Sequence, residues 1–307
     1  MSNSLYSSKI LLFGEYSIVL NSFGLAIPYP LYKGSLKLKA GHNNKDSQKK
    51  ILELIKNLKK KVKVLPDLDW LKINKDRKNK LFFESNIPQG YGLGSSGALV
   101  AAFYARYVKN KIPSEEKLTK NKLQKLKNIF SEMESYFHGE SSGIDPLNCY
   151  LRSPILIKSQ DEIIITKVPE EKALGYGGIF ILDSGNSSDT SSMVSLFLKK
   201  MEDENFNFIM KNQFIKYSKI CINDFLKGNI NLLFKNIKIL SEITLNNFQP
   251  MIPKKFIKLW IEGIRTNNYF FKLCGSGGGG FLLGFTLDIE KTFETLKDYK
   301  KEIIYKF

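Results

Sequence analysis

Residues 89–107 read QGYGLGSSGALVAAFYARY, with four glycines and two serines packed before residue 98 and an apolar, helix-forming run after it. Backbone without side chains can bring its N–H groups close to an oxyanion, and the start of a helix adds a favourable dipole. The stretch therefore reads as an anion cradle opening a helix at about Ala98. Ser95 or Ser96 could cap that helix or ligate a metal. Two familiar phosphate motifs do not account for it. The G-x-x-x-x-G-K-[ST] loop needs a lysine that is absent here. Gly92, Gly94 and Gly97 satisfy G-x-G-x-x-G, but residues 86–89 separate them from the preceding strand, which the tight turn of a dinucleotide fold does not allow. An ordinary capped helix after a loop is the competing reading of the stretch taken alone.

Working outward, the chain before this stretch reads as strands at 9–13, 17–20 and 35–39, a lysine-rich amphipathic helix, and two further strand-like segments, LDWLKI and KLFFES. After it come a helix from 98, a second from 122 to 137 stopped by His138-Gly139, and the strand-like SPILIKS and EIIITKV. Helices then fill 193–227, 231–246 and 253–267. The segment YFFKLCGSGGGGFLLGF reads as two strands joined by glycines, followed by a final helix and strand. Strands and helices without regular βαβ alternation indicate an α+β fold. The expected division is 1–160 and 161–307.

Two other clusters bear on chemistry. Five of the six residues 275–280 are glycine, more than a hairpin needs, so something must approach that backbone closely. In SEMESYFHGESSGIDPLNCY, Glu134 falls in the last turn of its helix, where the dipole disfavours an anion by about 0.3–1 kcal/mol unless a cation is near. Asp145 follows eleven residues later in a Ser- and Gly-flanked loop. A metal-ligating carboxylate with a second carboxylate as base suits phosphoryl transfer to an alcohol. Read singly, Glu134 is a helix end stapled by lysines, Lys9 a solvated strand-end lysine and His138 a helix cap.

The formal charge of +17 over 307 residues invites a nucleic-acid reading. The excess is mostly Lys, spread along the chain, and no aromatic residues interleave the lysines of the first helix to stack bases. No nucleic-acid partner is expected. Apolar content of 43% supports a real core, no run approaches the length of a membrane span, and the N-terminus lacks the order of a signal peptide. The three cysteines form no CxxC pair. A cytoplasmic protein with no membrane partner is the expectation.

Three segments in order, KILLFGEYSIVL (9–20), PQGYGLGSSGALVAA (88–102) and KLCGSGGGGFLLGF (272–285), resemble the motifs of the GHMP kinase family. The resemblance spans most of the chain. It implies a two-domain α+β fold, with an N-terminal domain like ribosomal protein S5 domain 2, a C-terminal ferredoxin-like α/β sandwich, and the active site between them. It implies ATP and Mg²⁺ as cofactors, a small-molecule acceptor, and is compatible with a homodimer. Gly90, Gly92, Leu93, Gly94, Ser95, Ser96 and Gly97 would wrap the ATP phosphates, with Ser96 and Glu134 reaching Mg²⁺. Asp145 would take the acceptor proton with Lys9 beside it. Glu15, Tyr16, His138, Ser142, Gly143, Thr190, Gly275, Ser276, Gly277 and Gly278 would face the acceptor. Within the family, the spacing E-x-x-x-H-G-x-x-S-G-I-D over 134–145 is most similar to mevalonate kinases, whereas FGEY, Gly97 and SGNSSDTSS are similar to phosphomevalonate kinases. Mevalonate ahead of phosphomevalonate is the implied acceptor; diphosphomevalonate decarboxylase shares the fold.

Overall fold

The computed structural model describes residues 4–38, 44–61, 65, 67–115, 118–139 and 141–307. Strand β1 (Tyr6–Phe13) pairs antiparallel with the 15-residue β2 (Gly24–Leu38). The two ends of β2 take different partners on its other edge: 34–38 pair with β3 (Leu81–Ser85) and 24–26 with β4 (Ile155–Ile157), which continues into β5 (Ile163–Ile165). A second, four-stranded antiparallel sheet has the order β7 (Tyr269–Leu273), β8 (Phe281–Thr286), β6 (Gly178–Asp183), β9 (Lys301–Lys306). Since β5 still belongs to the first sheet, we propose the domain boundary after Ile165; a cut at 160 would divide the β4–β5 hairpin.

Helices α1 (Lys45–Lys60), α2 (Trp70–Lys78), α3 (Ser95–Tyr107), α4 (Lys120–His138) and α5 (Ile144–Leu151) belong to the first half. Helix α1 buries Ile51, Leu54, Ile55 and Leu58 and turns its lysines outward, as the i, i+3, i+4, i+7 spacing predicts. Helix α3 is buried nearly all round, consistent with its run of Ala, Val and Phe, and packs between β1, β2 and α5. The second half adds α6 (Thr190–Lys200), α7 (Glu204–Ile209), a π-helical turn (Met210–Phe214), α8 (Ile215–Leu226), α9 (Ile230–Asn247), α10 (Ile257–Thr266) and α11 (Ile289–Thr295). The core is continuous across the two sheets. The Phe13 ring of β1 meets Phe225 of α8 at 6.4 Å and Phe285 of β8 at 5.6 Å.

Two strand expectations are corrected. LDWLKI is the start of α2, because the Asp69 side chain accepts from the Lys72 N–H at 2.9 Å and caps a helix there. Residues 17–20 form consecutive turns rather than a strand, with the Ile18 N–H bonded to the Gly14 carbonyl at 3.0 Å.

Candidate active site

A cavity of about 790 Å³ lies where the two halves meet. One wall is apolar and aromatic, from Phe82, Phe83, Ile87, Leu99 and Phe137, with Asn44, Ser47 and Lys50 of the α1 region beside it. The floor is the glycine stretch, contributing Gly90, Gly92, Leu93, Gly94, Ser95 and Ser96. Lys9, Asp145, Ser188, Asp189, Thr190, Gly275 and Ser276 also line it, and Asp46, Glu84, Ser85, Pro88 and Gln89 complete the lining.

The backbone of the floor explains its composition. Gly94 is the N-cap of α3 in the left-handed region (φ 72°), and no side chain caps the helix, so neither Ser95 nor Ser96 takes that role. A Cβ on Gly94 would lie 3.1 Å from the Lys9 side chain and 3.4 Å from Asp145 Oδ2, so glycine there lets the chemistry sit directly on the loop. Gly92, also left-handed (φ 76°), leaves 2.7 Å between its would-be Cβ and the Cys274 carbonyl oxygen. The two glycine segments thus pack backbone against backbone. Ser188 N–H bonds to the Gly90 carbonyl at 2.9 Å, and the Ser188 hydroxyl donates to the Gly277 carbonyl at 2.6 Å.

Lys9 Nζ lies 3.0 Å from Asp145 Oδ1, with the lysine side chain 7% and the aspartate 34% exposed. Burial works to lower the Lys9 pKa, but the Asp145 carboxylate outweighs it and holds the ammonium above its ordinary range. Lys9 is therefore a fixed cation, not a base. Asp145 sits in the first turn of α5, not in a loop: Gly143 caps that helix, and Pro146 is tolerated in a first turn whose N–H groups have no intrahelical partner.

Glu134 is almost fully buried at the end of α4. Its two oxygens accept from Ser96 Oγ at 3.0 Å and Ser141 Oγ at 2.5 Å. Burial, reinforced by the nearby Asp145 charge, pushes its pKa up to about 7 despite both hydroxyls and Lys9. Two acids so placed would be relieved by a cation. Ser96, Glu134 and Asp145 offer the oxygen donors a hard divalent ion takes. No cluster of three or more His, Cys, Asp or Glu that could hold a metal ion occurs among the described residues. The donor set fits the expected metal.

The remaining expected residues divide. Thr190 lines the cavity at the first position of α6, behind its N-cap Asp189, whose carboxylate accepts from the Ser191 and Ser192 N–H groups. Gly275 and Ser276 reach the cavity, whereas Gly277 packs on the Met251 carbonyl and Gly278 on Met193 and Ser188. Gly97 is buried between α3 and the start of α5. Gly143 packs on the α4 backbone and Ser142 is exposed, its hydroxyl accepting from Ile144 N–H at 3.3 Å. The His138 side chain lies outside the described residues. Glu15 and Tyr16 are buried away from the cavity lining: Glu15 Oε2 pairs with Lys272 Nζ at 2.8 Å, and the Tyr16 hydroxyl donates to the Ser276 carbonyl at 2.5 Å. Sequence reasoning missed Ser141, visible beforehand as a hydroxyl between Glu134 and Asp145, and the aromatic wall, for which no local signal exists. The three cysteines are free and buried, and burial holds the Cys149 thiol well above its ordinary pKa, so it is not a reactive group.

Residues 49–152 match the family model for the GHMP kinases N terminal domain. No curated protein sequence matches the chain. Among solved structures, L. major mevalonate kinase in complex with R-mevalonate superposes with a TM-score of 0.61 at 15% identity, covering 97% of this chain and 90% of that one. Methanococcus jannaschii mevalonate kinase gives 0.60 at 19% identity over 99% and 98% of the two chains. Streptococcus pneumoniae phosphomevalonate kinase, in complex with phosphomevalonate and AMPPNP, gives 0.66 at 14% identity over 99% and 100%. The chain has the GHMP kinase fold, and its similarity is to that family, with mevalonate and phosphomevalonate kinases among its neighbours. Among the described residues, no helix is long and apolar enough to cross a membrane.

Proposed function

We propose that this chain, built on the GHMP kinase fold, is a small-molecule kinase that transfers the γ-phosphoryl group of ATP to the hydroxyl of mevalonate. The observation that carries the proposal is the Lys9–Asp145 pair, 3.0 Å apart beside the glycine floor of the cavity. A carboxylate there can accept the acceptor's hydroxyl proton while the oxygen bonds to the γ-phosphorus and the bond to the β,γ-bridging oxygen breaks, releasing ADP. Lys9, permanently charged, favours the developing alkoxide electrostatically and keeps Asp145 oriented. The glycine floor and the start of α3 receive the phosphates, and the wall of Phe82, Phe83 and Phe137 gives a nucleotide base an apolar surface. Ser96 and Glu134 would hold Mg²⁺, which supplies charge neutralisation at the phosphate oxygens when bound.

Charge supports mevalonate ahead of phosphomevalonate. The cations among the described lining residues are Lys9, already paired, and Lys50, whose ammonium donates to Gln89 beside the aromatic wall. Asp189 adds a carboxylate that the Ser191 and Ser192 donors keep ionised, with a pKa lowered to about 2. The phosphate of phosphomevalonate would bring more negative charge than mevalonate's carboxylate alone to a lining that also holds Asp46, Glu84 and Asp145. The test is purified protein with ATP and Mg²⁺, offered mevalonate, phosphomevalonate or diphosphomevalonate separately, with ADP and carbon dioxide measured. ADP release with mevalonate alone is expected. ADP with phosphomevalonate alone reverses the acceptor, and carbon dioxide release with diphosphomevalonate indicates the decarboxylase. No turnover, with binding to nucleic acid that falls steeply with salt, would overturn the enzyme reading.

A further inference from the structure

The turn that follows β1 carries features that substrate binding does not explain. Tyr16 has φ 64°, a left-handed conformation that a bulky residue adopts only when its surroundings impose it. Its ring is stacked 4.4 Å from Phe197 and 5.5 Å from Phe248, and its hydroxyl reaches the Ser276 carbonyl. The neighbouring Glu15 is buried with Lys272, at 2% and 0% side-chain exposure. The N–H groups of Gly14 and Glu15 itself also approach the carboxylate, and among the described residues neither of its oxygens has a partner with hydrogen-bond alignment. Burial pushes the Glu15 pKa up, and the Lys272 charge opposes it. Lys272 also donates to the Leu273 carbonyl at 2.9 Å. A buried ion pair is a weak source of stability compared with an apolar pair of similar volume. Its location is more telling: both contacts run from one turn to residues 272–276, the strand end and start of the second glycine segment, which packs on Gly92 of the first.

We propose that Glu15, Tyr16 and Lys272 are positioning residues, forming a brace that seats the second glycine segment against the first. The same β1 strand carries Lys9 at its middle and the brace just past its end, so the brace fixes the catalytic pair and both glycine segments in one frame. The catalytic consequence rests on the kinase reading above; the structural one does not.

The test uses the full chain and three variants: Tyr16→Phe, Lys272→Met, and the double variant Glu15→Leu with Lys272→Met. Tyr16→Phe removes one oxygen. We expect amides of 275–280 to exchange with deuterium at least about tenfold faster while α3 amides are unchanged, and kcat to fall about tenfold with little change in the KM for ATP. Lys272→Met strands a buried carboxylate and lowers the melting temperature. The double variant, apolar on both sides, recovers the melting temperature, but its kcat stays about tenfold low. A merely structural pair predicts recovery of both, and that result, or unchanged exchange in Tyr16→Phe, overturns the brace. Faster exchange in Tyr16→Phe alongside a wild-type protein that phosphorylates neither acceptor would sustain the brace and reject the kinase reading.

Discussion

Gly97→Ala sets two well-understood effects against each other. Gly97 is the third residue of α3, and alanine in a helix interior is favoured over glycine by about 1 kcal/mol. Against that, a Cβ at position 97 would lie 2.8 Å from the Asp145 carbonyl carbon and 2.8 Å from the Pro146 nitrogen. Ordinary contact begins near 3.4 Å, so α5 must retreat from α3 by about 0.6 Å. The obstructing atoms are backbone, which cannot rotate away, and overpacking of this kind costs about 1–3 kcal/mol. Net stability should therefore fall by about 0–2 kcal/mol. The displacement acts on the residue that carries the proton-accepting carboxylate. Misplacing a reacting group by about 1 Å can cost about a hundredfold in rate, so about 0.6 Å corresponds to roughly tenfold in kcat. The assay is steady-state ADP release alongside a thermal melt and a nucleotide titration. A variant with raised melting temperature and undiminished kcat would refute the reasoning, because the helix gain would then have come without moving Asp145.

Asp145→Asn should lower kcat by about 10²–10⁴ while ATP still binds, checked by turnover and by titration with a fluorescent nucleotide. Glu134 gives a pH dependence in metal-free protein. Its folded pKa, about 7, lies above the ordinary 4.5, so the folded state holds the proton more tightly than the unfolded chain. That stabilisation is complete below about 4.5 and is lost as pH rises through 7, a change of up to about 3 kcal/mol. Denaturant melts of wild type should show this decline, Glu134→Gln should flatten it, and Mg²⁺ should offset it. Asp76→Ala leaves Arg106 and the Tyr107 hydroxyl without their shared acceptor at 2.6 Å and 2.9 Å. It should cost about 3 kcal/mol, read as a lower denaturation midpoint, with kcat near wild type at permissive temperature.

The apolar spacing of α1, the apolar helix-forming run of α3, the stop of α4 and the two glycine segments were legible in the sequence because each depends on local chemistry. LDWLKI was misread because a short apolar run fits strand and helix alike, and the deciding feature is one cap, Asp69. Glu134 and Asp145 stood together in one segment, but Lys9 joined them only by resemblance, since nothing local distinguishes it from a solvated lysine. Glu15 and Tyr16 sat in the right motif, but their partners Lys272 and Ser276 are more than 250 residues away in the chain, and only the fold brings them together.

The order of strands in the second sheet has a consequence for the birth of the protein. Strand β6 ends at Asp183, yet both its neighbours, β8 and β9, are made from residues 281–286 and 301–306. At roughly 5–20 residues per second, a ribosome leaves that strand with two open edges for about 5–21 s, until β8 is complete, and with one open edge until β9 follows. Its sequence, GIFILD, is the kind that pairs readily with strangers. The cavity rim waits nearly as long as the first edge, because Tyr91 meets Gly280 and the Gly92 turn meets Cys274. A nascent chain stalled before Cys274 would thus carry Lys9 and Asp145 but no closed site, and an exposed apolar strand for chaperones to cover.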